Sequence, residues 1–195
     1  MSVSLRFTAV TSCALLASLV TAEAVNTSRS QADSFAKKLA IIRQHAAESP
    51  KSTRRTTVTE GEVNSWFVYR APPLLPTGVK DPRITAVGNG KMLGVVTVDL
   101  DDLAKGRSGL WKLLGGTVPI ALSGVLRTKD GRGQFDLQSA EISGVPVPKF
   151  LLQEIVTHYT RNEDRPGGIR LDDPFTLPAS IKQIDVGQGQ ALIIQ

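Results

Sequence analysis

Three glycine-centred turns set the strongest limit on what this chain can fold into. Gly88-Asn89-Gly90, Asp130-Gly131 and Gly187-Gln188-Gly189 each separate two runs of strand-forming residues. Glycine, Asn and Asp at such positions supply the positive φ that a tight hairpin requires. The flanking runs are 83–87 with 91–99, 118–129 with 133–143, and 180–186 with 190–194. The chain therefore reads as antiparallel hairpins in series. The same turns argue against phosphate-cradling loops, because dinucleotide and P-loop motifs need a helix after the glycines and here a strand follows. Within 133–143, Phe135, Leu137, Ser139 and Glu141 alternate with Asp136, Gln138, Ala140 and Ile142. That alternation is imperfect and assigns neither row to a face.

Helical periodicity interrupts the strands at three places. From Gln31 to Glu48, Phe35, Leu39, Ile42 and Ala46 recur at spacings of three and four, and Ser49-Pro50 ends the run. Thr59-Glu60-Gly61-Glu62 has the pattern of a capping box, opening a helix with Val63, Trp66 and Phe67 on one face. This helix stops before the Pro-rich 71–78. Lys149 to Thr160 carries Leu152, Ile155, Val156 and Tyr159 at helical spacing, after Val145-Pro146-Val147-Pro148 breaks the sheet. The expected fold is α+β: a curved antiparallel β-sheet of about six strands cradling a helix, with an additional N-terminal helix. The helix at 149–160 must bury its stripe, and the sheet's concave face is the surface expected to receive it.

The first 24 residues read as an export signal, with Arg6 as the positive n-region, Phe7 to Val20 as the apolar core and Ala22-Glu23-Ala24 as the cleavage site. The apolar run is shorter than the ~20 residues of a spanning helix. Cys13 is the single cysteine, and it lies inside this run. Cleavage after Ala24 leaves a domain without thiol chemistry; acylation of Cys13 is the alternative, against which Val10-Thr11-Ser12 is a poor lipobox. The expected organisation is a signal peptide over 1–24, an N-terminal helix and basic connector over 25–55, and one α+β domain over 56–195. The expected location is the periplasm or cell envelope of a bacterium.

Loss of Arg6 and Glu23 with the leader leaves the net charge at +5. A basic exported domain favours anionic surfaces, so an anionic membrane is an expected partner and nucleic acid is not. Catalytic apparatus is not evident. His45 and His158 have no ligand-spaced companion. His45 suits a surface position near a helix C-terminus. Asp99, Asp101 and Asp102 lack the glycine and distal glutamate of a calcium loop and read as a strand end leading into a helix cap. No Gly-x-Ser-x-Gly elbow is present. The chain is expected to be no enzyme and to need no cofactor or metal. The segment Ser108-Gly109-Leu110-Trp111-Lys112-Leu113-Leu114-Gly115-Gly116 is apolar where a polar loop is due. It fits either a loop that meets a bilayer or gates a groove, or a short helix packed on the core.

The run Val58-Thr59-Glu60-Gly61-Glu62-Val63-Asn64-Ser65-Trp66 resembles the helix start of exported bacterial lipid-binding domains. Leu75-Pro76-Thr77-Gly78-Val79, the hairpin with Val98-Asp99-Leu100-Asp101, Val145-Pro146-Val147-Pro148 before a helix, and Leu177-Pro178-Ala179-Ser180-Ile181 before a Gly-x-Gly hairpin continue the likeness. Residues 56–195 thus resemble the LmeA-like periplasmic phospholipid-binding proteins, related in shape to the tubular lipid-binding proteins. The resemblance implies a helix held in a curved sheet, a groove for acyl chains, and binding or transport of a lipid or other amphipathic ligand. On that reading Trp66, Phe67, Phe150, Leu151 and Ile155 line the groove, and Trp111, Leu113 and Leu114 its mouth. The competing expectation is a non-catalytic envelope module with a packed core. Its basic, polyanion-facing surface would comprise Lys51 to Arg55 and the hairpin-tip residues Arg127, Lys129 and Arg132.

Overall fold

The computed structural model describes residues 26–48, 52–106, 108–109 and 115–195. The expected signal peptide with Cys13, the Ser49-Pro50 stop, and Trp111, Leu113 and Leu114 lie outside the described residues.

Helix α1 runs Arg29–Ala47, starting two residues earlier than its apolar period suggests, because Ser28 caps it by accepting the Gln31 amide. Strand β1, Arg55–Thr59, leads directly into α2, Glu60–Tyr69. The capping box is formed in both directions: the Glu62 amide donates to Thr59 Oγ1 at 3.2 Å, and the Thr59 amide donates to Glu62 Oε2 at 2.9 Å. Pro72–Leu74 form a single 3-10 turn.

Strands β2, Val79–Gly88, and β3, Lys91–Asp99, make the first hairpin. A short helix, α3, Asp101–Ala104, precedes β4, Thr117–Lys129, and β5, Arg132–Ile142. Then follow β6, Val145–Pro146, helix α4, Lys149–Thr160, and β7, Phe175–Thr176. The last hairpin is β8, Gln183–Gly187, with β9, Gln190–Ile194.

The strands form two open sheets. The larger has the order β2-β3-β4-β5-β6, with β7 also paired to β5, and every pairing is antiparallel. The six strands expected of the fold are present, but their membership differs from the sequence reading. The last hairpin leaves this sheet and pairs with β1, giving a second sheet of order β1-β9-β8. Val145-Pro146 does not break the sheet either. It adds a two-residue edge strand to β5, a place where proline's missing N–H costs no ladder bond.

The register explains the imperfect alternation of β5. Ser123 pairs with Ser139, yet the next pair is Gly124 with Leu137, so Gln138 is extra and forms a bulge. Beyond the bulge the pattern shifts by one. Leu137 and Phe135 oppose Gly124 and Leu126, while Ala140 and Ile142 oppose Leu122 and Ile120, and these β4 residues all belong to one row. Odd and even positions of β5 therefore share a face.

That face carries the main core. Leu151, Leu152 and Ile155 of α4 pack with Val98, Leu100, Leu103, Ile120, Ala140 and Ile142. Each large buried side chain contributes roughly 1.5–3 kcal/mol by leaving water. A second, smaller cluster joins Ile42 of α1 to Leu177 and Ile181, backed by Ile184 and Ile193 of the small sheet. The two sheets are joined at their turns. The Gly90 amide donates to Val186 O and the Gly189 amide to Ala86 O, while within the larger sheet the Leu126 amide donates to Gly90 O. Gly90 has φ +79°, and a Cβ there would stand 2.9 Å from Leu126 O, so the joint admits only glycine.

Candidate functional site

The structure separates the residues expected to line one groove. Leu151 and Ile155 are 1% and 3% exposed, enclosed between α4 and the sheet, so these two belong to the helix–sheet core. Phe150, their neighbour on α4, faces the other way and is 59% exposed. Trp66 and Phe67 lie on α2, away from this core. The Trp66 ring meets Phe35 of α1 edge-on at 5.9 Å and Phe67 at 5.8 Å. Phe67 also borders a cleft of about 450 Å³ with Leu75, Pro76, Val79 and Lys80.

The buried face of α2 is polar, which the sequence reading did not anticipate. Glu62, Asn64 and Ser65 are its buried residues, while Trp66 and Phe67 are half-buried. Ser65 Oγ donates to Gln31 Oε1 and accepts the Ser28 amide, tying α2 to the start of α1. Asn64 works as a strand would: its Nδ2 donates to Ile84 O at 2.8 Å, and its Oδ1 accepts the Ile84 amide at 2.9 Å. Glu60, one turn earlier, accepts the Ala86 amide at 2.8 Å. Residues i and i+4 on one helix face thus occupy the free edge of β2.

Glu62 is the charged centre of this region. Its carboxylate accepts Ser34 Oγ at 2.6 Å, Lys38 Nζ at 2.7 Å and the Thr59 amide at 2.9 Å. Burial alone would raise its pKa. The Lys38 ammonium, the Ser34 hydroxyl and the Thr59 amide outweigh burial and hold the carboxyl below its ordinary 4.5. Lys38 also donates to Thr57 O, so the ion pair spans α1, β1 and α2.

An open trough of about 890 Å³ lies where the two sheets meet. Val125, Leu126, Arg127 and Thr128 of β4 form one wall. Ile184, Asp185, Val186 and Gly187 of β8, with Thr57, Gln190 and Leu192, form the other. Thr57, Leu192 and Asp185 lie side by side in register across the small sheet. Thr128 closes the base: its hydroxyl donates to Ile184 O at 2.9 Å and accepts the Ile184 amide at 2.8 Å. Arg127 at the rim pairs with Asp136 at 2.6 Å and stays exposed. The trough offers branched aliphatic surface beside a guanidinium. Each of these strands is legible in the sequence, but nothing there signals that β4 and β8 meet.

The acidic cluster serves as a fastening. Asp99 Oδ1 accepts the Asp101 amide, and Asp101 Oδ1 accepts the Gly116 amide at 2.6 Å, so these carboxylates close the segment leading into β4. The formal cap of α3 is Leu100, which makes no side-chain capping bond; the helix-cap role expected of the cluster falls to the Asp99 side chain one residue earlier. Tyr159 donates to Asp99 O. Its phenol is pushed above the ordinary 10.0 by burial and then by the Asp99 and Asp102 charges, so it stays protonated and donating. His158 packs edge-on against Tyr159 at 5.0 Å. Among the described residues, no group of three or more His, Cys, Asp and Glu is placed to hold a metal ion. His45, expected at the surface, has its Nε2 buried without a hydrogen-bond partner among the described residues. No helix among the described residues is long and apolar enough to cross a membrane.

No family model, no curated protein and no solved structure matches the chain.

Proposed function

We propose that this chain is an exported, non-catalytic envelope protein that binds an amphipathic ligand in the trough between its two sheets. The observation that carries the reading is the trough's lining. Val125, Leu126 and Leu192 give an apolar surface, and Arg127 stands at its rim. A volume of about 890 Å³ falls in the range that holds a drug-sized or single-chain amphiphile. An acyl chain would lie on the aliphatic residues, and a polar or acidic head would meet Arg127. The resemblance of 56–195 to LmeA-like phospholipid-binding proteins supports the ligand class. Because the apolar face of α4 is packed against the sheet, the ligand is assigned to the joint between sheets rather than to the helix flank.

Native mass spectrometry of the protein from its own envelope fraction, followed by solvent extraction, tests the reading. A discrete lipid adduct is the expected result, and Val125→Trp, which fills the trough, should reduce its occupancy at least tenfold. Delipidated protein that takes up no monomeric amphiphile at micromolar concentration overturns the reading. A second reading, an interaction module with no ligand cavity in use, is favoured by that same closed α4 core. Salt separates the two, since burial of an acyl chain persists at high ionic strength and a purely ionic contact does not.

A further inference from the structure

Two basic segments far apart in sequence meet at one end of the molecule. The link is a chain of backbone contacts. The Gly131 amide, in the turn of the β4–β5 hairpin, donates to Lys182 O. The Lys182 amide donates to Ile194 O, and Ile194 pairs with Arg55 in the small sheet. Arg54 is held beside it through a reciprocal pair with Gln195. This brings Arg54 and Arg55 of the connector to the same end as Arg127, Lys129 and Arg132 of the hairpin and Lys182 of the loop before β8. All six side chains are exposed. The carboxylates at this end are Asp130 in the turn, Asp136, which pairs with Arg127, and Asp185, which accepts from Gln183. Arg54, Arg55, Lys129, Arg132 and Lys182 form no ion pair with a described residue. Lys129 and Arg132 are moreover direct cross-strand partners. Like charges in that relation repel, so the end of the hairpin costs stability unless an anion sits there.

An aromatic ring shares this end. Phe175 pairs with Gly133, and a Cβ on Gly133 would come within 2.6 Å of its ring carbons. The distal part of the ring therefore rests against the glycine, yet the side chain remains 43% exposed. It occupies the row opposite Lys129 and Arg132, at the same end of the hairpin. Cations beside an exposed, rigid aromatic suit the boundary between phospholipid head groups and acyl chains.

We propose that this end of the molecule docks onto an anionic phospholipid bilayer. Arg54, Arg55, Lys129, Arg132 and Lys182 lie against the acidic head groups, and Phe175 enters the interface. None of these five cations lines the trough, so docking and trough binding can each fail without the other.

The test is co-sedimentation of the full chain with vesicles of phosphatidylcholine alone and of equimolar phosphatidylcholine and phosphatidylglycerol. The readout is the ratio of the two partition coefficients, which cancels any apolar contribution of the N-terminal segment. Wild type should favour the anionic vesicles, with the preference fading as salt rises. Charge reversal at Lys129, Arg132 and Lys182 should lower the ratio at least about a hundredfold, from the ~1 kcal/mol each basic residue gains near an anionic surface. Reversal of Arg161 and Arg165, beyond the C-terminus of α4, should leave it unchanged. Those residues follow Tyr159, which is bonded to Asp99, and Asp99 pairs with Thr117 at the far end of β4, roughly 40 Å away at about 3.3 Å per residue. Phe175→Ser should lower anionic-vesicle binding severalfold while leaving binding to soluble dextran sulfate unchanged. Equal partition onto both vesicle types overturns the proposal. So does tight dextran sulfate binding with no vesicle preference, which would assign the face to a soluble polyanion.

Discussion

Helices α4 and α2 meet the same sheet in opposite ways. Helix α4 lies across its face and buries Leu151, Leu152 and Ile155 among apolar side chains. Helix α2 stands at its edge and buries Glu62, Asn64 and Ser65. The contrast extends to whole regions. The four buried polar side chains among the described residues are Glu62, Asn64, Ser65 and Gln195, three on α2 and one just after β9, none in the α4 core. Gln195 is a separate case, its Nε2 donating to Ile42 O of α1 and to Ala179 O of the loop before β8. A sheet face presents side chains, so apolar area suffices to cover it. A sheet edge presents N–H and C=O groups, and only polar side chains in register satisfy them.

If that division is right, the largest loss of stability comes from the face. Leu152→Ala should cost about 2–5 kcal/mol in urea denaturation, since the cavity lies in closed packing. A loss under 1 kcal/mol would mean the α4 core is loose enough to collapse. Asn64→Leu should cost about 2–3 kcal/mol by leaving the Ile84 amide and carbonyl without partners. It should also speed hydrogen exchange at the Ile84 amide more than at Val96 in the sheet interior, an asymmetry that a general loss of packing would not produce.

Glu62 adds a pH signature confined to the edge region. Its folded carboxyl is held below 4.5, so its stabilisation is complete above that value and disappears as pH falls through the lowered folded pKa. Glu62→Gln should cost about 1.5–3 kcal/mol at neutral pH through lost charge-assisted hydrogen bonds. It should also flatten the stability–pH curve below pH 4.5, and an unchanged acid limb would remove Glu62 from its cause. The smallest effect sharpens the comparison within α4 itself. Phe150→Ser should shift stability by no more than about 0.5 kcal/mol, because the ring is exposed although Leu151 beside it is not.

Much of the face was readable from residues. The period of Leu152, Ile155, Val156 and Tyr159 marks α4, and the three glycine turns mark the hairpins, because these signals are local. The capping box at Thr59 was equally readable, since all its atoms lie within four residues. The edge was not. Trp66 and Phe67 promise an apolar face on α2, yet what decides its burial is the presence of β2's backbone beside Glu60 and Asn64, which spacing alone does not reveal. The candidate trough escaped for the same reason: Val125 and Leu192 are unremarkable strand residues until two sheets place them on facing walls.

The sequence by itself determined the hairpins, the helices, the capping box and the excess of basic residues, all consequences of local backbone preference and side-chain period. Only the tertiary structure decided that the last hairpin pairs with β1, that Gln138 bulges to reconcile β5 with its core, and that Arg54, Lys129 and Lys182 share one end. The first and last of these rest on backbone hydrogen bonds between residues far apart in the chain, such as Arg54 with Gln195 and Gly131 with Lys182, and the bulge on the register of β5 against β4. Every strand offers the same donors and acceptors for such bonds, so the choice among partners is made by the packing of the whole chain.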